Sequence, residues 1–161
     1  VGGISGATKI MKKIAIPDNI EIGASEDDMH RDPYLSYLNR TTPLAMAQLF
    51  DRFDTEMRNT SLSYSEIATM LEQCRTGIDR LVAPLLSSDA TIGHKTGTGF
   101  PTPDGRISAI NDCGYVNLPN GERYSIAVFV ADSGYDMAET SAIIAEISRI
   151  VWIGLTEQKK D

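Results

Sequence analysis

His94-Lys95-Thr96-Gly97-Thr98-Gly99 is the stretch of the sequence that decides most about the fold. It closes the first of three segments with strand-like patterns, which span 90–96, 106–118 and 124–132. Asn120-Gly121, between the second and third segments, is typical of a β-hairpin turn. The three segments therefore predict an antiparallel meander, with a Lys-Thr-Gly triplet at the end of its first strand.

Helical patterns precede this sheet. A first helix is predicted over 5–15, and a second begins at Thr42, a capping residue followed by Pro43 in the first helical position. A third helix is expected to end at Gly77, with a short helix over 80–86 after it. The expected buried residues of these helices are Ile4, Ala7, Met11 and Ile14; Met46, Leu49, Phe50 and Phe53; and Ile67, Met70, Leu71 and Cys74.

The chain closes with a further helix, capped near Asp136 and Glu139. Its expected buried face carries Ile143, Ile144, Ile147, Ile150, Val151 and Leu155. Helices first, and then a sheet with a covering helix, predict an α+β fold. We divide the chain into a helical part, 1–88, and a part with the strands and the last helix, 89–161. The segment 17–40 has no sustained period and is predicted to be a long, functional loop.

Composition excludes several classes of function. At 161 residues, 42% of them hydrophobic, the chain can bury the core of one compact domain. A net charge of −7 argues against nucleic-acid and anionic-membrane partners, which need a positive surface. No run approaches the ~20 apolar residues of a membrane-spanning helix. Cys74 and Cys113 lack the spacing of a zinc or redox site and are expected to be buried thiols.

The Lys-Thr-Gly triplet carries the clearest chemistry. Lys95 and the hydroxyl of Thr96 can donate charge-assisted hydrogen bonds to a substrate carboxylate. Gly97 lets a substrate backbone lie against the strand, and the N–H of Thr98 can form half of an oxyanion hole. The triplet matches the third motif of the penicillin-recognising serine hydrolases.

Three further segments strengthen that resemblance. Thr76-Gly77-Ile78-Asp79-Arg80, Asn111-Asp112 and Asn39-Arg40-Thr41-Thr42-Pro43 resemble segments of the class A serine β-lactamases. The resemblance implies the second half of the β-lactamase/transpeptidase-like fold. It makes Arg80 a second anchor for the substrate carboxylate and gives Asn111 and Asp112 structural roles.

The segment 17–40 then resembles the family's Ω-shaped loop, and Glu26 falls where the catalytic glutamate belongs. A carboxylate there can take a proton from the water that attacks an acyl-enzyme ester. Glu21 and Asp28 remain alternatives for this base. His30 stands where many members have Asn, and Ala24 and Asn39 replace the usual Arg–Asp pair at the loop neck. These departures are similar to the extended-spectrum branch, and His30 and Asn39 are expected to stabilise the loop.

Two motifs of the family do not occur in this sequence. The family acylates the serine of a Ser-x-x-Lys motif and uses a Ser-Asp-Asn loop for proton transfer. We therefore expect that the sequence begins within a longer protein, corresponds to its second half and is inactive alone. Its partner would be the N-terminal half of the same protein or a second copy.

For the longer protein, the resemblance implies hydrolysis of β-lactam antibiotics in the periplasm or outside the cell, without a cofactor or a metal. One alternative is a D-Ala-D-Ala transpeptidase or carboxypeptidase, which shares Lys-Thr-Gly but lacks the glutamate loop. Another is a non-catalytic module that binds β-lactams or cell-wall peptides. A third is a stable structural unit without activity.

Overall fold

The computed structural model describes residues 2–14, 16–17, 19–57 and 62–157, with side chains in all of these except 56–57 and 62–64. It has an α+β architecture, as predicted. Short 3₁₀ helices at Pro33–Leu38 and Ala83–Leu85 and a π-helical turn at Phe53–Met57 join the main elements. The main elements are α1 (Gly3–Lys13), α2 (Glu26–Arg31), α3 (Pro43–Arg52), α4 (Leu62–Glu72), β1 (Thr91–Thr98), β2 (Ile107–Asn117), β3 (Arg123–Ser133) and α5 (Met137–Glu157).

The described strands form one antiparallel sheet in the order β1–β2–β3. Lys95 of β1 lies opposite Cys113 of β2. The turn between β2 and β3 is closed by the N–H of Leu118, which donates to the carbonyl of Glu122 at 2.7 Å. Gly121 adopts a left-handed φ of 84°, which this turn requires. The predicted meander and its hairpin turn are therefore confirmed.

Each face of the sheet buries an apolar cluster. On one face, Ile110, Ile126 and Val128 pack with Leu81 and with Ile144 of α5. On the other face, Cys113 and Tyr115 pack with Phe50 of α3. Because side chains alternate between the faces of a strand, β2 supplies residues to both clusters and is the most buried strand. Removal of this apolar surface from water is the main force that holds the layers together.

The start of α3 agrees with the sequence. The Thr42 hydroxyl accepts from the N–H of Ala45 at 3.2 Å, and Pro43 is the first helical residue. The cap satisfies an N–H that has no partner within the helix. Phe50 is buried, and Met46 and Phe53 pack beside it.

The cap of α5 is also confirmed, but its predicted buried face is partly wrong. Asp136 and Glu139 exchange hydrogen bonds of 2.8 and 3.1 Å with each other's backbone. The isoleucines at 143, 147 and 150 are exposed. Small hydroxyl residues occupy the buried face instead, and Ser148 donates to the carbonyl of Leu81 at 2.8 Å. Such residues bring the helix close to its neighbours; those buried are Thr140, Ser141, Ile144 and Ser148.

The other helices differ from their predicted limits. α1 runs from Gly3 to Lys13 and has no buried residue, while Ala15, the expected end, lies outside the described residues. α4 ends at Glu72 rather than Gly77 and buries Ala68, leaving Ile67 and Met70 exposed. Gly77 lies in a turn instead, with φ of 64°, and the helix expected over 80–86 contracts to Ala83–Leu85. Across the described residues, no helix has the length and apolar character needed to cross a membrane.

Two isoleucines of α5 test the position of the core. Ile144 is fully buried, whereas Ile150 is 57% exposed on the same helix. Ile144→Ala should lower the free energy of unfolding by about 2–5 kcal/mol, because it leaves a cavity. Ile150→Ala is the matched control and should change it by no more than about 0.5 kcal/mol. Urea denaturation of the purified chain measures both, and equal losses would contradict the assigned face.

Candidate functional site

The outer edge of β1 presents backbone hydrogen-bonding groups. The N–H of Gly99, directly after β1, donates to Ala109 at 2.7 Å. Because successive N–H groups of a strand point to opposite edges, the N–H of Thr98 points away from β2. In the described part of the chain no strand lies beyond β1 on that side. This edge can therefore accept an extended ligand.

The side chains of β1 complete this edge. Lys95 is exposed, and its Nζ donates to the carbonyl of Thr96 at 2.7 Å. The hydroxyls of Thr96 and Thr76 share a hydrogen bond of 3.0 Å. Gly97 is exposed and leaves the backbone uncovered. The four predicted residues 95–98 therefore lie together, with a cation and an outward N–H on the same strand edge.

Arg80 lies beneath the strand rather than at its surface. The residue is 5% exposed, and its Nη2 donates to the Thr98 hydroxyl at 3.0 Å. Nη1 donates to the carbonyl of Asn111 at 2.9 Å, and Nε donates to the Ser141 hydroxyl at 3.3 Å. The guanidinium is thus fixed by β2 and α5, and the group it offers to the strand edge is the hydroxyl of Thr98.

A cavity of about 800 Å³ borders this edge. Its floor is the sheet, and its opposite wall is the segment 36–50, which ends the long loop and begins α3. The surface of the cavity as a whole is mainly apolar. The residues around it include Lys95, Thr96, Gly97, Asn111, Cys113, Phe129, Tyr37, Asn39, Met46 and Phe50.

Both cysteines are free thiols. Cys113 is buried, as predicted, and its Sγ donates to the carbonyl of Lys95 at 3.4 Å. Burial, with a smaller effect of the Asp112 carboxylate, raises the pKa of Cys113 to about 12, so its thiol stays protonated at neutral pH. Cys74 is only half-buried and lies 3.3 Å from the Thr76 hydroxyl. Among the described residues, no three His, Cys, Asp or Glu side chains are arranged to hold a metal ion.

The neck of the long loop is closed by two sets of contacts. Glu21 and Arg40 pair through their backbones at 2.9 and 3.0 Å and through an ion pair of 2.7 Å. Asn39 Oδ1 accepts from the N–H groups of Gly23 and Ala24 at 2.8 and 2.9 Å, and its Nδ2 donates to Ala24 at 3.1 Å. The side chain of Asn39 therefore joins the two chain segments that meet at the neck.

The body of the loop contacts the sheet at two places. The ring of His30 lies 4.7 Å from that of Phe100, in the connection from β1 to β2. The Tyr37 hydroxyl donates to the carboxylate of Asp132 at the end of β3. That hydrogen bond raises the pKa of Tyr37 to about 12. The loop contains the helices α2 and Pro33–Leu38, which its sequence did not predict.

The three acids considered as a base differ in their surroundings. Glu21 is held in the neck by Arg40. Asp28 caps α2 by accepting from the backbone N–H of Ser25 at 3.3 Å. It also accepts from the Ser25 hydroxyl at 2.6 Å, and these hydrogen bonds lower the pKa of Asp28. The Glu26 side chain is 73% exposed, with His30 Nε2 at 3.7 Å, and does not line the cavity. Of the three acids, Glu26 is thus the one whose carboxylate takes no part in closing the loop neck or in capping α2.

The family model and the curated relatives that match this chain are all β-lactamases. The model of the β-lactamase enzyme family matches residues 7–155. A β-lactamase of Phocaeicola vulgatus is 38% identical over 135 residues, which are 83% of this chain and 42% of that protein. The β-lactamase VEB-1 of Pseudomonas aeruginosa is 34% identical over 94% of this chain and 50% of its own length. The chain spans about half the length of the curated relatives it matches.

Solved structures agree with the sequence matches. The TLA-3 extended-spectrum β-lactamase is 35% identical, with a TM-score of 0.88 over 96% of this chain and 55% of that one. A class A β-lactamase from Bacteroides cellulosilyticus is 36% identical, with a TM-score of 0.85 over 97% of this chain and 55% of that one.

Asn39→Ala tests the role of the amide in the loop neck. Loss of its hydrogen bonds, worth about 1 kcal/mol each, should make the Gly23 and Ala24 amides exchange with solvent about tenfold faster or more. Asn39→Asp keeps the acceptor and should leave both rates nearer to wild type. Amide exchange followed by NMR measures this. Unchanged rates in Asn39→Ala would show that the Glu21–Arg40 pair holds the neck alone.

Proposed function

The chain belongs to the β-lactamase enzyme family, and we propose that the natural polypeptide containing it, called here the parent protein, hydrolyses β-lactam antibiotics. The proposed route is that of class A enzymes, in which a serine is acylated and a glutamate then assists deacylation. We place this activity in the periplasm or outside the cell, where β-lactams meet the cell wall.

The observation that carries the proposal is the outer edge of β1. It combines the Lys95 cation, the uncovered backbone at Gly97 and the outward N–H of Thr98, beside a large apolar cavity. A β-lactam carries a carboxylate close to its reactive amide. Lys95 and the Thr96 hydroxyl would bind that carboxylate, and the Thr98 N–H would reach the lactam carbonyl.

In the acylation step, a serine oxygen attacks the lactam carbonyl and the C–N bond breaks. The ring nitrogen takes up a proton, and the acyl group becomes an ester of the serine. The N–H of Thr98 would stabilise the negative charge that develops on the carbonyl oxygen. This sequence has no Ser-x-x-Lys motif, so another part of the parent protein would supply the serine.

In the deacylation step, Glu26 would take a proton from a water whose oxygen attacks the ester, and the serine would leave with a proton. The surroundings of the three acids support Glu26, because Glu21 and Asp28 are engaged in the neck and the cap. Arg80 would act by holding the Thr98 hydroxyl at the strand edge.

Two other functions are kept as alternatives. A D-Ala-D-Ala transpeptidase or carboxypeptidase would share the Lys-Thr-Gly edge, but a loop carrying Glu26 favours hydrolysis. A non-catalytic module that binds β-lactams or cell-wall peptides is favoured by one observation, the presence of Lys95 and Thr96 without a Ser-x-x-Lys motif. Turnover by the parent protein separates these possibilities.

The first test compares the parent protein with the 161-residue chain. The parent protein should hydrolyse a chromogenic cephalosporin with many turnovers, whereas the isolated chain should show none, because it has no Ser-x-x-Lys nucleophile. Absorbance of the opened product measures both. A parent protein that binds the cephalosporin without turnover would favour the binding module, and turnover by the isolated chain would contradict the requirement for an external serine.

Lys95→Ala in the parent protein tests the carboxylate site. Loss of one charged hydrogen bond costs about 1.5–3 kcal/mol, which lowers kcat/KM more than tenfold. Lys12→Ala, an exposed lysine of α1, is the matched control and should leave kcat/KM unchanged. Steady-state kinetics with a cephalosporin measures both variants. A loss below about threefold in Lys95→Ala would argue against the assigned site.

Glu26→Gln in the parent protein tests the base. The amide cannot take the proton of water, so the serine should still be acylated while turnover falls by roughly 10²–10⁴. Mass spectrometry after mixing with a cephalosporin should show a stable acyl-enzyme. Glu21→Gln and Asp28→Asn are the matched controls and should turn over without an adduct. An adduct in either control, with normal turnover in Glu26→Gln, would move the role to that residue.

A further inference from the structure

A buried histidine–aspartate pair lies beneath β1, on the face of the sheet opposite the cavity. His94 Nδ1 lies 2.9 and 3.1 Å from the two carboxylate oxygens of Asp112. The two side chains are 2% and 0% exposed. A carboxylate oxygen accepts, so the Nδ1–H of His94 donates to it.

The same carboxylate also holds the turn that carries Arg80. Asp112 Oδ2 accepts from the backbone N–H of Leu81 at 3.2 Å. Leu81 directly follows Arg80, and His94 directly precedes Lys95. One buried carboxylate therefore joins the two chain segments that carry the cations of the site.

This contact belongs to a regular set. Three alternate residues of β1 are each held by the turn 76–81: Thr98 by the Arg80 guanidinium, Thr96 by the Thr76 hydroxyl, and His94 through Asp112 and Leu81. The set runs along the strand directly under Lys95 and Gly97. A shift of the turn relative to β1 would therefore displace the hydroxyls of Thr96 and Thr98.

His94 lies where β1 and β2 approach each other closely, and one of its ring nitrogens has no polar partner among the described atoms. Gly114 lies opposite His94 in the sheet, and a Cβ at that position would come within 3.0 Å of the His94 Cβ. His94 Nε2 is buried and has no partner among the described atoms. A buried nitrogen without a partner costs stability, but the Nδ1–H of the same ring satisfies the buried Asp112 carboxylate. The ring thus serves Asp112 through one nitrogen, while its other nitrogen makes no polar contact among the described atoms.

We propose that His94 is a positioning residue of the carboxylate site. Its Nδ1–H orients Asp112, Asp112 fixes the Leu81 backbone, and the turn 76–81 is thereby held in register with β1. Lys95 and the Thr96 hydroxyl then meet the substrate carboxylate at the correct spacing. This inference rests on the proposed function, because the site it positions is the one assigned to the β-lactam carboxylate.

Kinetics of the parent protein test the inference. His94→Leu removes the donor and should raise the KM for a cephalosporin about tenfold or more, with kcat within about threefold. His94→Asn keeps an N–H near the Nδ1 position and should restore KM to within about threefold of wild type. Ser148→Ala is the matched control: it removes another buried hydrogen bond to Leu81, made from α5, and should leave KM unchanged.

The outcomes separate this inference from the proposed function. An inactive wild-type parent protein would overturn the proposed function and the role of His94 with it. If the parent protein is active but His94→Leu, His94→Asn and Ser148→Ala have the same KM, the role of His94 is overturned and the proposed function stands.

A second measurement does not depend on whether the His94→Leu variant folds. The ¹⁵N spectrum of the wild-type imidazole, assigned with His94→Asn, should show a proton on Nδ1. A neutral ring protonated on Nε2, with a bare Nδ1, would overturn the inference, because such a ring cannot donate to Asp112.

Discussion

Pairing of β1 with β2 is the constraint on which the site depends. Because hydrogen-bonding groups alternate along a strand, the bond from Gly99 to Ala109 turns the Thr98 N–H toward the free edge. The same alternation sends the Lys95 side chain toward the cavity and the side chains of His94, Thr96 and Thr98 toward the turn 76–81. A slip of one residue would exchange the two faces and remove the cation from the edge.

The opposite face of the sheet keeps this register. Its core is apolar around Ile110 and Ile144, but beneath β1 the contacts are polar. Arg80 is buried with its donors used on Thr98, Asn111 and Ser141. A buried guanidinium is tolerated only when it is satisfied in this way, so its position is narrowly fixed. The chain thus supports an exposed binding edge with a rigid polar layer.

Local signals in the sequence predicted a large part of this arrangement. Thr42-Pro43, Asn120-Gly121 and the Asp136–Glu139 box act over a few residues, and each lies where the pattern placed it. Residues 95–98 also lie on one strand, as predicted, because they are adjacent in the sequence. Burial of helix faces was predicted less well, as Ile67 and Ile150 show, because a period identifies an apolar stripe but not what packs against it. The depth of Arg80 and the pairing of His94 with Asp112 depend on contacts distant in sequence, which no short motif reports.

The site as proposed requires that the β-lactam carboxylate binds at the outer edge of β1. A crystal structure of the parent protein acylated by a cephalosporin tests it most directly. We expect the carboxylate within hydrogen-bond distance of Lys95 and the Thr96 hydroxyl, and the ester carbonyl oxygen facing the N–H of Thr98. A bound cephalosporin that leaves this edge unoccupied, with its carboxylate on other residues, would contradict it.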